Sequence, residues 1–375
     1  MARNGYICIK DIKSMEFEAL IEGKERKRPI IIAGPCSAEN EQQVHSTAQA
    51  LAREGMTDLF RAGIWKPRTR PGAFEGAGKD ALHWVSDAAR ASGLPAAIEV
   101  GSPKHVEAAL ECDIRYFWLG ARTVVNPFIV QEIAEAFKGV NAGIMVKNPV
   151  NPDINLWIGA LERLSSIGIT RLAAIHRGFS HFQSAPLRNK PLWEIPITLK
   201  QRFKNLSVFT DPSHICGHPA YLQQIAQKAL DLEMDGLMIE THICPAEALT
   251  DAGQQITPKQ LTRLLQSLII RTATGEASFE MELNKWRDLI DEKDQEILNL
   301  LASRFAAIQA IGMLKQKHQV TILQLDRWSR IIETRMAEAT RFSINPLFMK
   351  RLLDLIHEES IRIQEEILND DPAEN

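Results

Sequence analysis

Four side chains in this chain could hold a metal ion. Cys36, His214, Glu240 and Asp251 supply a thiol, an imidazole and two carboxylates. Together such donors suit a borderline divalent ion such as Mn²⁺, Fe²⁺, Co²⁺ or Zn²⁺. Mg²⁺ is not expected to choose a thiolate. Taken singly, Cys36 reads as a small buried hydrophobe and His214 as an ordinary loop histidine. A second set is cationic. The stretch "RAGIWKPRTRPG" packs Arg61, Lys66, Arg68 and Arg70 close together, and Arg122, Lys147 and Arg177 follow. Cations gathered in one place fit an anion, most simply a phosphate or a carboxylate. Both sets mean something only if the fold brings them together.

The elements that would do so are short apolar runs, recurring about every 30 residues between 30 and 272. They are "IIIAGPCS", "LFRAGIWK", "AAIEV", "YFWLGAR", "GIMVKN", "LAAIHRG", "SVFTDPSH" and "GLMIETH". Helix-like stretches separate them. Continuous apolar runs alternating with helices predict a parallel sheet covered on both faces. Eight units of this size predict a (β/α)8 TIM barrel, with a doubly wound open sheet as the alternative. The runs end, in order, on Cys36, Lys66, Glu99, Arg122, Lys147, Arg177, His214 and Glu240. In a barrel these ends share one mouth, where barrel enzymes hold their active sites. Asp251, eleven residues after Glu240, can reach the same mouth, and His242 is a competing ligand of lower rank.

The chain has 375 residues and a net charge of −3, with 45% hydrophobic and 24% charged residues. That is an ordinary globular composition, and it gives no support to nucleic-acid binding. No continuous apolar run approaches the roughly 20 residues of a membrane span. The first residues lack a cleavage signal, so a cytoplasmic protein is expected. Five scattered cysteines (Cys8, Cys36, Cys112, Cys216, Cys244) argue for reduced thiols rather than a disulfide framework. The expected organisation is an N-terminal extension over 1–29, too short for a separate regulatory domain, a barrel over 30–272 and a linker over 273–279. A helical domain over 280–369 and a tail over 370–375 follow.

The periodicity of the helical part predicts helices over about 280–317, 326–340 and 346–368. On the first, Ile297, Leu300, Arg304, Ile308, Ile311 and Lys315 step by threes and fours onto one face. Two cations on an apolar stripe are costly unless they meet anions. Arg287 lies about 25 Å along the helix from Arg304 and about 100° off its face, so it fits a pocket on an antiparallel second copy. The spacing predicts a homodimer with shared sites. Ser360 and Gln364 face together on the third helix, and Asp326 and Arg327 open the second. The plainer reading is a helical dimerisation domain whose charges pair with one another.

The motifs "GPCSAE", "KPRT", "LGART", "VKN", "HRG", "DPSH" and "IETH", in that order, resemble the 3-deoxy-D-arabino-heptulosonate 7-phosphate (DAHP) synthases of the shorter type I branch. The resemblance covers residues 30–265. It implies that Cys36, His214, Glu240 and Asp251 bind a divalent metal, with Mn²⁺ the expected ion. It implies that Arg61, Lys66, Arg122, Lys147 and Arg177 hold phosphoenolpyruvate, and that Arg68 and Thr69 meet the phosphate of erythrose 4-phosphate. Lys66, between the two substrates, would protonate the developing alkoxide. The related 3-deoxy-octulosonate 8-phosphate synthases usually carry Lys-Ala-Asn in place of "KPRT", so Arg68 points to the four-carbon sugar. Arg70 and His176 depart from the usual pattern. Residues 280–368, through "LNKWRDLIDEKDQEILNLLASRF", "IGMLK", "DRWSR" and "EESIRIQ", resemble an all-helical chorismate mutase. That resemblance implies a pocket of Arg304, Lys315, Arg327, Ser360 and Gln364, completed by Arg287 of a second subunit, converting chorismate to prephenate. Gln324 and Trp328 stand where the family often has acidic residues. The expected whole is a bifunctional enzyme of aromatic biosynthesis. The alternative is a helical domain that binds chorismate or prephenate and regulates the barrel without turnover.

Overall fold

In this computed structural model the described residues are 15–21, 29–66, 72–181, 186–272, 274–323 and 325–369. Arg68, Thr69, Arg70 and Gln324, and the side chain of Asp326, lie outside them. The chain divides into two compact units between Ala273 and Thr274.

The first unit is a closed barrel of eight parallel strands in sequence order. They are β1 (Ile30–Gly34), β2 (Leu59–Ala62), β3 (Ala96–Val100), β4 (Tyr116–Leu119), β5 (Gly143–Lys147), β6 (Leu172–His176), β7 (Ser207–Thr210) and β8 (Gly236–Glu240). The ring closes where β1 pairs with β8, in a register that sets Gly34 against Glu240. Gly34 has φ +150°, and a Cβ there would meet the Arg61 carbonyl oxygen at 2.0 Å, so only glycine fits.

Strand alternation sorts the side chains into two cores. Leu59, Trp118, Met145, Phe209 and Met238 belong to a small cluster that fills the barrel. Their neighbours, such as Phe60, Leu119, Ile144, Val146, Val208 and Leu237, pack in the larger cluster beneath the surrounding helices. Arg61, Lys147, Asp211 and Glu240 each stand two residues beyond an interior residue. The period of two therefore directs them inward at the C-terminal end of the barrel.

The second unit is three helices, Ala277–His318, Leu325–Arg341 and Pro346–Asn369. The first begins inside the stretch read as a linker, because "ASFEMELNKW" contains neither Gly nor Pro to stop it. It is also, by length and composition, apolar enough to cross a membrane, with a window of mean hydropathy 1.5. The expectation drawn from continuous runs misses this, since Asn299, Ser303, Arg304 and Gln309 interrupt the stretch while the Ile and Leu residues around them keep its average high. Gly312 lets the third helix approach closely, for a Cβ there would lie 2.8 Å from Ile367 Cδ1. Beyond that contact much of the first helix is open. Trp286, Ile290, Ile297 and Leu300 are 54–70% exposed.

Candidate active site

At the barrel mouth a cavity of about 450 Å³ is lined by Lys66, Arg122, Lys147 and Arg177, together with Glu99, His214 and Asp251. All four cations expected at the ends of β2, β4, β5 and β6 therefore reach one space. Their routes differ. Lys147 ends its strand. Arg177 follows β6 directly, and its backbone N–H donates to Asn148 Oδ1 (2.7 Å) while Nη1 donates to Asn189 Oδ1 (3.1 Å). Burial lowers the Arg177 guanidinium to about 10, still cationic at neutral pH. Arg122 stands on the short helix Ala121–Val124 that follows β4. Lys66 folds back so that Nζ donates to the Cys36 carbonyl (2.7 Å). Burial works against its charge, but Cys36 and Glu99 outweigh it and raise its pKa above the usual lysine value.

Arg61 does not line the cavity. It is buried below, 1% exposed, with Nη2 3.3 Å from Glu240 Oε1 and its guanidinium 4.8 Å from the Trp118 ring centre. Its Nε and Nη1 are buried without hydrogen-bond partners among the described residues. Unpaired buried donors of this kind are expensive and mark a place for an anion or ordered water.

The thiol and the two carboxylates of the expected metal set converge. Ligand atoms of Cys36, Glu240 and Asp251 all lie within 4.8 Å of one another. His214 adjoins them, with Nε2 3.8 Å from Glu240 Oε1 and Nδ1 2.8 Å from Asp211 Oδ2. A carboxylate behind one ring nitrogen fixes which nitrogen is left for a metal. Glu240 Oε1 is fully buried and, beyond its ion pair with Arg61, accepts no hydrogen bond among the described residues, so a lone pair is left for a metal. Burial pushes the Cys36 thiol up to about 12. Burial also pushes Asp251 up, but Arg188 and His214 outweigh it and hold the carboxyl at about 2. His214 and Arg61 likewise overcome burial at Glu240 and lower its pKa. These donors fit a borderline divalent ion. His242, the competing ligand, turns away: Nδ1 accepts from the Cys244 N–H (2.9 Å) and Nε2 lies 3.8 Å from Glu39 Oε2.

Sequence reasoning missed the residues that hold these groups in place. Asp211 is fully buried, caps the short helix Pro212–Cys216 by accepting from the His214 N–H (3.0 Å), and pairs with Lys147 Nζ (2.9 Å). Gln254 donates to Glu240 Oε2 (2.5 Å). Arg188 donates to both Asp251 Oδ1 (3.1 Å) and Gln254 Oε1 (2.7 Å). The signal that could have found Asp211 is its place in "DPSH", directly before the proline that starts a helix.

In the helical unit Arg304 Nη1 donates to Ser360 Oγ (2.8 Å), and Gln364 Nε2 donates to the Ser360 carbonyl (2.9 Å). Gln364 Oε1 is buried without a donor among the described residues. Lys315 Nζ donates to the Ile322 carbonyl. Trp328 stacks on His357 with centroids 3.7 Å apart. Arg327 is exposed, and Arg287 is exposed and bonded to Asn284, away from Arg304 on its own helix.

Comparison with known proteins agrees with both parts. Residues 11–274 match the DAHP synthetase I family and residues 286–365 match chorismate mutase type II. A phospho-2-dehydro-3-deoxyheptonate aldolase of Thermotoga maritima is 28% identical over 239 residues, covering 64% of this chain and 68% of that protein. A 2-dehydro-3-deoxyphosphooctonate aldolase of Geobacter is 23% identical, covering 64% of this chain and 91% of the relative. Over 94 residues, 25% of this chain and 73% of the relative, a 4-amino-4-deoxychorismate mutase of Streptomyces pristinaespiralis is 30% identical. A crystal structure of the Thermotoga maritima DAHP synthase superposes with a TM-score of 0.57 at 24% identity, over 69% of this chain and 70% of that one. The first of these family matches takes in well over half of the chain, and the chain belongs to the DAHP synthetase I family, with a chorismate mutase type II domain at its C-terminal side.

Proposed function

We propose how this pairing of DAHP synthase and chorismate mutase works in residue terms. The barrel condenses phosphoenolpyruvate with erythrose 4-phosphate to give DAHP and phosphate, and the helical domain rearranges chorismate to prephenate. The observation that carries the barrel assignment is the convergence of Lys66, Arg122, Lys147 and Arg177 on one cavity beside Cys36, Glu240 and Asp251. The cations hold the phosphate and carboxylate of phosphoenolpyruvate, and their main work is to bring two mutually repelling anions together. Arg61 supports the same ligand from below. Cys36, His214, Glu240 and Asp251 hold a divalent ion, Mn²⁺ by preference, which when bound supplies Lewis-acid polarisation of the aldehyde oxygen. Lys66, held protonated, delivers a proton to the alkoxide that forms at the former aldehyde carbon. Water adds at C2 of the enolpyruvyl unit, and phosphate leaves by C–O cleavage. Arg68 and Thr69 take the sugar phosphate and favour the four-carbon aldose over the five-carbon one.

Rearrangement of chorismate is unimolecular and needs only a folded conformer and cations beside the breaking C–O bond. Arg304, Lys315 and Gln364 serve there, with Arg327 and Ser360 binding substrate. Arg287 enters from a second copy, which also covers the open apolar face of the long helix. The protein is in this reading a cytoplasmic homodimer. A second reading rests on Trp328, stacked on His357 where a glutamate is usual. In it the helical domain binds prephenate and inhibits the barrel without turning chorismate over.

The test is chorismate loss by the purified chain beside Arg304→Ala, and phosphoenolpyruvate consumption with erythrose 4-phosphate before and after chelation and Mn²⁺ add-back. Chorismate loss that vanishes in the variant, with condensation that follows the metal, supports the first reading. Chorismate binding without loss selects the second. Condensation untouched by chelation overturns the metal assignment.

A further inference from the structure

Cys36 and Asp251 come from opposite ends of the barrel sequence, yet their sulfur and oxygen are 3.4 Å apart. The Cys36 thiol donates to Asp251 Oδ2 across that gap, and neighbouring residues add further ties between the two loops. Gln255, 3% exposed, spans the gap: Oε1 accepts from the Cys36 N–H (2.9 Å) and Nε2 donates to the Thr250 carbonyl (2.8 Å). Thr250 precedes Asp251 directly, so one amide holds the backbone of one ligand and the backbone next to the other. A second tie runs alongside. Ser37 and Thr250 share a hydroxyl–hydroxyl hydrogen bond of 2.6 Å, and each is the chain neighbour of a ligand. Glu39 adds a third, since Oε1 accepts from both Ser37 Oγ (3.1 Å) and the Leu249 N–H (2.8 Å). Asp251 itself sits in the left-handed region at φ +47°, which a non-glycine residue keeps only where its surroundings hold it.

We propose that Gln255 is a positioning residue for the metal site: its amide locks the Cys36 and Asp251 loops at ligating distance, with Ser37–Thr250 as an auxiliary tie. The inference rests on the metal reading above. Gln255 is not a ligand, because both ends of its amide are occupied by backbone. Its effect is to keep the ligand atoms together against the mutual repulsion of the Glu240 and Asp251 carboxylates, and to hold Cys36 in place when a bound ion takes the thiol proton's position. Outer groups of this kind typically change metal affinity by about 10- to 100-fold when removed.

The test uses the full chain, wild type beside Gln255→Met, which keeps the volume and removes both hydrogen bonds, and Ser37→Ala, which removes only the hydroxyl tie. Free Mn²⁺ is followed by electron paramagnetic resonance during titration. Gln255→Met is expected to weaken Mn²⁺ binding about 10- to 100-fold, and Ser37→Ala to weaken it by a smaller factor. At saturating Mn²⁺ the kcat of Gln255→Met should return toward wild type, because the deficit lies in holding the ion. Equal Mn²⁺ affinity in wild type and both variants overturns the inference. So does a Gln255→Met chain whose kcat stays low at saturating Mn²⁺ with affinity unchanged, which is ordinary packing damage. If Gln255→Met does not fold, Ser37→Ala decides alone: unchanged affinity overturns the idea, weakened affinity supports it. A wild-type chain that binds no Mn²⁺ would overturn the metal reading itself, an outcome the wild type reveals before any variant is compared.

Discussion

Replacing Asp211 by Asn tests the buried electrostatics of the barrel mouth. The change keeps shape, and it keeps an oxygen for the helix cap at the His214 N–H. What it removes is the charge facing Lys147 Nζ at 2.9 Å and His214 Nδ1 at 2.8 Å, where Asp211 and Lys147 have side-chain exposures of 0% and 6%. Burial opposes that charge, but His214 and Lys147 overcome it and hold the Asp211 carboxyl well below the usual range. Removing one partner of a buried pair costs about 3–5 kcal/mol, because the other is left uncompensated. The retained cap puts Asp211→Asn near the lower end, about 3 kcal/mol. For a unit of this size each kcal/mol moves Tm by about 2–4 °C, so a fall of roughly 6–12 °C is expected. Thermal unfolding of the metal-free chain reads it. The decisive comparison is the double variant Lys147→Met/Asp211→Asn, in which no charge remains uncompensated. It should be more stable than the sum of the single effects by about 1 kcal/mol or more. A strictly additive double variant, or an Asp211→Asn chain melting within about 2 °C of wild type, would refute the charge-pair account.

Other expectations follow from the same geometry. Lys66→Met should lower kcat for condensation by about 10²- to 10⁴-fold while the KM for phosphoenolpyruvate moves much less, since its role is proton delivery; an effect confined to KM would reduce it to a binding residue. Chelation should abolish condensation and leave chorismate turnover unchanged, measured on one sample by the two assays. His176 is fully buried, and burial first, then Arg177, lowers its pKa from 6.5 to about 3. Because the folded state resists the proton that the unfolded chain accepts, its neutral form supports stability above pH 6.5, and that support is lost as pH falls toward 3. About 2 kcal/mol should disappear between roughly pH 7 and pH 5, and His176→Phe should flatten that part of the urea-denaturation profile. Arg287→Ala should reduce chorismate turnover without releasing the fold of its own helix, and mixing it with Arg304→Ala chains should restore part of the activity if sites are shared between copies.

How far the sequence reached can be judged residue by residue. The barrel was legible because the strands are short, mainly apolar runs at regular spacing, several of which stop abruptly at a polar residue, and Lys147 and Glu240 are such stops. Side chains two residues past an interior position had to face inward, so their convergence followed from alternation alone. Arg61 was placed correctly at the mouth end but not at its depth: the pairing with Glu240 that draws it below the cavity is a contact across the barrel, which local pattern does not encode. Asp211, Gln254 and Gln255 escaped for the same reason. A buried amide or carboxylate looks like any loop polar residue until its partners from distant segments are known. In the helical part the stripe through Arg304 and Lys315 was visible, yet Ile297 and Leu300 on that stripe remain exposed. Periodicity announces that a face wants covering without saying what covers it.

The pairing of β1 with β8 has a consequence for how the site comes into being. Cys36 follows the first strand, Glu240 ends the last and Asp251 lies in the loop beyond it, so some 200 residues separate donors that end up in contact. During synthesis the thiol waits, without its partners, until the eighth strand has been made and laid against the first. A non-local closure of this kind is among the slower steps of folding. The metal cluster is therefore a seam, and a nascent or truncated chain lacking that strand would have most of a barrel and no site at all. Ligation at the seam would in turn hold the ring shut, which makes ion binding a report on whether the barrel has closed.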